Sequence, residues 1–95
     1  MLSISIFVTD DPPQGEDART VRAVEAVAAR FPGAVVVQLF PLDGERAEDL
    51  GLRMGPAVVE GDMVLSVGEP ISAGRLRRYI EARLGEEAPS AVGDD

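Results

Sequence analysis

The stretch Met54-Gly55-Pro56-Ala57-Val58-Val59-Glu60-Gly61-Asp62-Met63-Val64 sets a proline, an apolar run, a Gly-Asp pair and a second apolar run in close succession. Ala57 to Glu60 and Met63 to Val67 read as short strands, and Gly61-Asp62 suits a tight two-residue turn, so the stretch predicts a β-hairpin. Gly68-Glu69-Pro70 then breaks the sheet. Beyond it, Ser72 is expected to cap a closing helix with the apolar stripe Leu76, Tyr79, Ile80 and Leu84. Ile71 can staple onto Leu76, and Gly85 is expected to end the helix. On the other side of the hairpin, Asp43 is the expected N-cap of a short helix through Leu52, with Glu45 in its first turn where the helix dipole favours an anion.

The first half of the chain alternates elements. Leu2, Ile4, Ile6 and Val8 fall on one face of a strand and Ser3, Ser5 and Phe7 on the other, which predicts one heavily buried side and one lightly covered side. From about Asp17 to Phe31, Val21, Val24, Ala28 and Phe31 recur at helical spacing, and Pro32-Gly33 stops the run. Ala34 to Phe40 is almost wholly apolar and valine-rich, as expected of a parallel strand covered on both faces, and Pro41 ends it. The element order is therefore β-α-β-α-β-β-α.

Composition narrows the chemistry. At 95 residues the chain makes one domain, expected over residues 1–85, with 86–95 an acidic, disordered tail that has too little apolar surface to offset its ordering entropy. There is no cysteine and no histidine, so disulfides, thiolates, imidazole bases and the usual transition-metal ligands are all excluded. No cofactor is expected. Asp10, Asp11, Glu16 and Asp17 could hold a hard cation but lack the spacing of a calcium loop, and they read as a solvated loop with helix-end charges. No hydroxyl has a histidine or lysine beside it to make it a nucleophile. The net charge of −8 lies in that loop and in Glu86, Glu87, Asp94 and Asp95, while the remaining acidic residues balance the nine arginines. Such a distribution disfavours nucleic acid, and Arg75, Arg77, Arg78 and Arg83 read as the water-facing side of the last helix. The one apolar stretch near the start is too short to span a membrane, so a cytoplasmic, unexported protein is expected.

The element order, with a proline just before the third strand and a Gly-Asp hairpin after it, resembles the thioredoxin/glutaredoxin-like superfamily, particularly its short bacterial and archaeal members. The resemblance covers Leu2 to about Leu84 and is most specific in residues 54–64 followed by Gly68. It implies an α/β three-layer sandwich with a four-stranded mixed sheet, and a cis Gly55–Pro56 bond. Where that superfamily carries Cys-x-x-Cys between the first strand and the first helix, this chain has Asp11-Pro12-Pro13-Gln14. In redox members the helix N-terminus stabilises a thiolate. Here Asp11, or Glu16 and Asp17, can place a carboxylate at that helix end.

These residues point to a redox-inactive protein, with no recognisable catalytic constellation, whose task is binding another protein. The surface implied by the resemblance comprises Asp11, Pro12, Pro13, Gln14, Met54, Gly55 and Pro56, where the backbone before the proline can pair with an extended peptide and specificity would reside in loop residues Thr9 to Gly15 and in Met54. Met54 reads equally as partner-facing or as core filling. An alternative is a self-associating structural domain, a homodimer through strand 34–40, which the superfamily's strand order places at a sheet edge. A carboxylate enzyme using Asp11 and Glu16 as acid and base ranks below both, because nothing in the sequence fixes their separation.

Overall fold

The strand Leu2–Val8 (β1) sits at the centre of the sheet, where its backbone bonds to neighbours on both sides. The structure is a computed structural model that describes residues 1–87. After β1 come α1 (Glu16–Ala28), β2 (Val35–Pro41), α2 (Glu45–Asp49), β3 (Ala57–Glu60), β4 (Met63–Val67) and α3 (Ala73–Glu87). The sheet order is β2-β1-β3-β4, with β1 and β2 parallel and the other neighbours antiparallel. It is therefore a mixed sheet, as expected. Val59 pairs with Val64 while Val58 pairs with Ser66, so Leu65 is the extra residue of a bulge in β4.

The period-2 alternation of β1 divides the core in two. Leu2, Ile4, Ile6 and Val8 join Val24 and Val27 of α1 and Leu76 and Ile80 of α3 on one face. Phe7 joins Ala57, Val59, Ala47 and Leu52 on the other, beneath α2. Helices, sheet and helix thus form three layers.

Several expectations are corrected. The second face of β1 is not lightly covered, because Ser5 and Phe7 are both buried and only Ser3 faces water. β2 is not covered on both faces: Val36 is 38% and Leu39 43% exposed. An apolar run records β propensity and apolar contact on either face, and it reads alike for an edge strand and an interior one. The N-cap of α2 is Gly44 rather than Asp43, with no side-chain cap hydrogen bond. The chain turns tightly there, since the Gly44 amide donates to the Pro41 carbonyl at 3.2 Å and a Cβ on Gly44 would lie 2.9 Å from Pro41 Cγ. Finally, α3 runs through Gly85 to Glu87. Gly85 does not take the left-handed conformation that a terminating glycine adopts, and without it the helix continues. Glu86 and Glu87, expected in the tail, are therefore helical, and residues 88–95 lie outside the described residues. Elsewhere α1 ends at Ala28, short of Phe31, which still packs against the core.

Candidate functional site

Asp17 fixes the first loop. It lies in the first turn of α1, is 4% exposed, and its Oδ2 accepts from the Thr9 amide at 2.8 Å and the Thr9 hydroxyl at 2.9 Å. A charged acceptor of two short bonds holds the end of β1 against the start of α1. Between those anchors, Asp10, Asp11, Pro12, Gln14, Gly15 and Glu16 are exposed and Pro13 is half-buried. The Asp11–Pro12 bond is cis, a feature the sequence did not announce. The Gln14 carbonyl accepts from the Asp17 amide at 3.1 Å, so Gln14 serves the helix start through its backbone. The N-cap is Gly15, with a positive φ of 59° and no side-chain cap bond, so Asp11 does not occupy that role.

The loop before β3 approaches the same place. The Gly55–Pro56 bond is cis, Pro56 is buried, and the Pro56 carbonyl accepts from the Gly68 amide at 2.8 Å. A Cβ on Gly55 would stand 3.3 Å from both Thr9 Cγ2 and Leu42 Cδ2. The end of β1, the segment after β2 and the loop before β3 therefore converge on Gly55. Met54 is 61% exposed and lies across Gly68, whose Cβ would meet Met54 Cε at 3.1 Å. Met54 thus faces outward rather than filling the core.

Of the residues expected at this surface, Asp11 and Pro13 line a cleft of about 400 Å³ with Val8, Leu39, Phe40 and Asp43. Met54, Gly55 and Pro56 stand on the other side of Thr9, which borders both the cleft and Gly55. Thr9, the first residue of the loop expected to bind, joins the two groups, whereas sequence reading missed Leu39, Phe40 and Asp43 as cleft walls. No local pattern marks them, because the parallel crossover alone brings the end of β2 beside the end of β1. The cleft wall is stiffened by Phe40, which stacks on Phe7 with ring centroids 5.4 Å apart while the Arg46 guanidinium lies 5.6 Å over the Phe40 ring.

A second polar cluster sits at the hairpin. Glu60 Oε1 accepts from the Tyr79 hydroxyl at 2.6 Å and from Arg83 Nε at 2.9 Å. Burial pushes the Glu60 carboxyl up, but these two hydrogen bonds and the Arg83 charge outweigh it and hold the group below the usual carboxylate range. Burial, followed by the Glu60 bond and charge, raises the Tyr79 phenol above its ordinary value. The cluster ties α3 to the end of β3, and it takes Arg83 out of the water-facing row expected from sequence. Asp11 and Glu16, the conceivable acid and base, are both exposed. Among the described residues no three carboxylates converge as a metal site, and no helix is long and apolar enough to cross a membrane.

No protein-family profile matches the chain, and no curated protein matches it. Among solved structures it is similar to chloroplastic thioredoxin z, a protein described for type-specific target recognition, with a TM-score of 0.69 and 19% identity over 90% of this chain and 80% of that one. The chain has the thioredoxin-like fold. With no cysteine anywhere in its sequence, the chain has no thiol redox chemistry.

Proposed function

We propose that this chain is a redox-inactive thioredoxin-like protein that works as a protein-docking module, using the surface around residues 9–15, Met54, Gly55 and Pro56. The observation that carries this reading is the convergence at Gly55, where Thr9 and Leu42 approach a residue with no side chain. Glycine there lets the three segments close around the backbone before Pro56, and an extended segment could add beside it by main-chain pairing. Met54 offers a polarisable, adaptable apolar contact next to it. The apolar walls of the neighbouring cleft, with Asp10, Asp11 and Asp43 on its lining, supply the side-chain discrimination that a backbone contact lacks.

The test is comparative capture from the source cells with the parent chain, Met54→Asp and Asp11→Arg, using Arg22→Gln as a surface control. The docking reading expects a set of partners retained by parent and control and lost from both site variants. Equal recovery by all four proteins defeats it.

A second reading rests on a separate observation. β2 is an edge strand with Val36 and Leu39 exposed and no charged residue from Val35 to Pro41. Such an edge is a template for pairing with another copy across a twofold axis.

A further inference from the structure

In a protein of net charge −8, the groove between the C-terminal end of α1 and the N-terminal end of α3 is lined only by apolar and cationic residues: Val27, Arg30, Ala73, Gly74 and Arg77. Its volume is about 180 Å³, which leaves room for a small anion. Arg30 comes from the turn after α1 and Arg77 from the second turn of α3, so two elements set the guanidinium positions. A third guanidinium is close, since a Cβ on Gly74 would lie 3.6 Å from Arg78 Nη1. Among the described residues, none of Arg30, Arg77 and Arg78 forms a salt bridge, in contrast to Arg83, which Glu60 neutralises.

Two further details concern donors. Arg77 Nε is buried and has no hydrogen-bond partner. A buried charged donor without an acceptor is costly, and an oxyanion bound to Nε and one Nη as a fork would satisfy it. Ser72 takes up part of the helix start, its hydroxyl accepting from the Arg75 amide at 3.3 Å and its carbonyl from the Leu76 amide at 3.0 Å. The amides of Ala73 and Gly74, both on the groove, are the donors of the first turn that Ser72 leaves over. The groove thus brings two arginines and the first-turn residues of α3 to one place, and guanidinium and main-chain N–H groups are the donors that suit a tetrahedral oxyanion.

We propose that the α1–α3 groove binds a phosphate group, through Arg30 and Arg77 with the Ala73 and Gly74 amides. The site lies on the helical layer over the opposite face of the sheet from α2 and is independent of the docking surface.

The experiment is a titration of the full-length, isotope-labelled chain by amide and arginine Nε–H NMR at fixed ionic strength. The probes are orthophosphate and phenyl phosphate, with chloride as the reference. The expected result is saturable shifts confined to Ala73, Gly74, Arg77 and the Arg30 region, with the Arg77 Nε–H signal moving most. Arg30→Gln and Arg77→Gln should each weaken binding about tenfold, the loss of one charge-assisted contact, while Arg19→Gln leaves it unchanged. Because Arg77 is half-buried, Arg30→Gln on the exposed rim decides the matter if Arg77→Gln fails to fold. Saturation by orthophosphate alone assigns the groove to the free anion, and saturation by both probes assigns it to a phosphate carried on a larger molecule. Shifts no larger than those with chloride, or equal affinity in Arg30→Gln, overturn the proposal.

Discussion

At the scale of single residues, the tightest polar contact described is the 2.6 Å bond from the Tyr79 hydroxyl to Glu60. Its energetic sense follows from the direction in which each group is displaced. The Glu60 carboxyl is held below its ordinary value in the folded chain, so it contributes stability that is present above the usual carboxylate range and lost as pH falls through the folded value. The Tyr79 phenol is raised, so its contribution is present below the ordinary phenol value and lost as pH rises past the folded one. Tyr79→Phe should therefore destabilise the chain by about 1–2 kcal/mol at neutral pH, the worth of a hydrogen bond to a charged acceptor. The urea midpoints of parent and variant should converge as the solution is acidified below the carboxylate range, and a difference that persists unchanged there would assign the loss to packing. Neither this cluster nor the Asp17–Thr9 pair was legible in the sequence. The sequence places Asp17 at the start of a helix, where a carboxylate suits the dipole, but Thr9 belongs to a different element. The reading of Met54 was evenly divided between core and surface, and the side chain proves to lie outward over Gly68.

At the scale of elements, local signals succeeded where the cause was local. Ser72 was recognised as a cap from its place before an apolar-periodic run, and its hydroxyl does accept from the Arg75 amide. Ser72→Ala should lower the stability of the domain by about 1 kcal/mol, read as a shifted denaturation midpoint with an unchanged slope. No shift would mean that the 3.3 Å bond contributes nothing beyond what water supplies to the same amide. The Gly61-Asp62 hairpin was legible for the same reason, since Gly61 adopts the positive φ of 60° that such a turn requires. What failed was burial and termination. Ala34 to Phe40 carries the composition of a covered strand, yet β2 lies at the edge and α2, only five residues long, leaves Val36 in water. Gly85 looked like a stop, but a glycine ends a helix only where the chain adopts the left-handed turn after it.

At the scale of the whole molecule, the element order is legible in periodicity and the sheet order and layering through the resemblance, whereas the convergence of three segments at Gly55 depends on the crossover and has no trace in local pattern. The open question at this scale is what the free edge of the sheet does. β2 presents seven residues without a charge, and lysine or glutamate on an edge is the usual protection against pairing. Opposing association is the net charge of −8, whose self-repulsion reaches about 10 Å at 0.1 M salt and shortens as salt rises. If the edge pairs copies, dimerisation should strengthen with added salt, because screening removes repulsion while leaving main-chain hydrogen bonds and the Val36 and Leu39 contacts intact. Sedimentation equilibrium from micromolar to millimolar concentration at low and high salt reads this directly. Val36→Lys combined with Leu39→Lys should hold the chain monomeric throughout, since both side chains are already solvent-facing and the change need not disturb the core. A parent that stays monomeric under every condition removes the self-associating reading and leaves the proposed partner docking to be decided by the capture experiment.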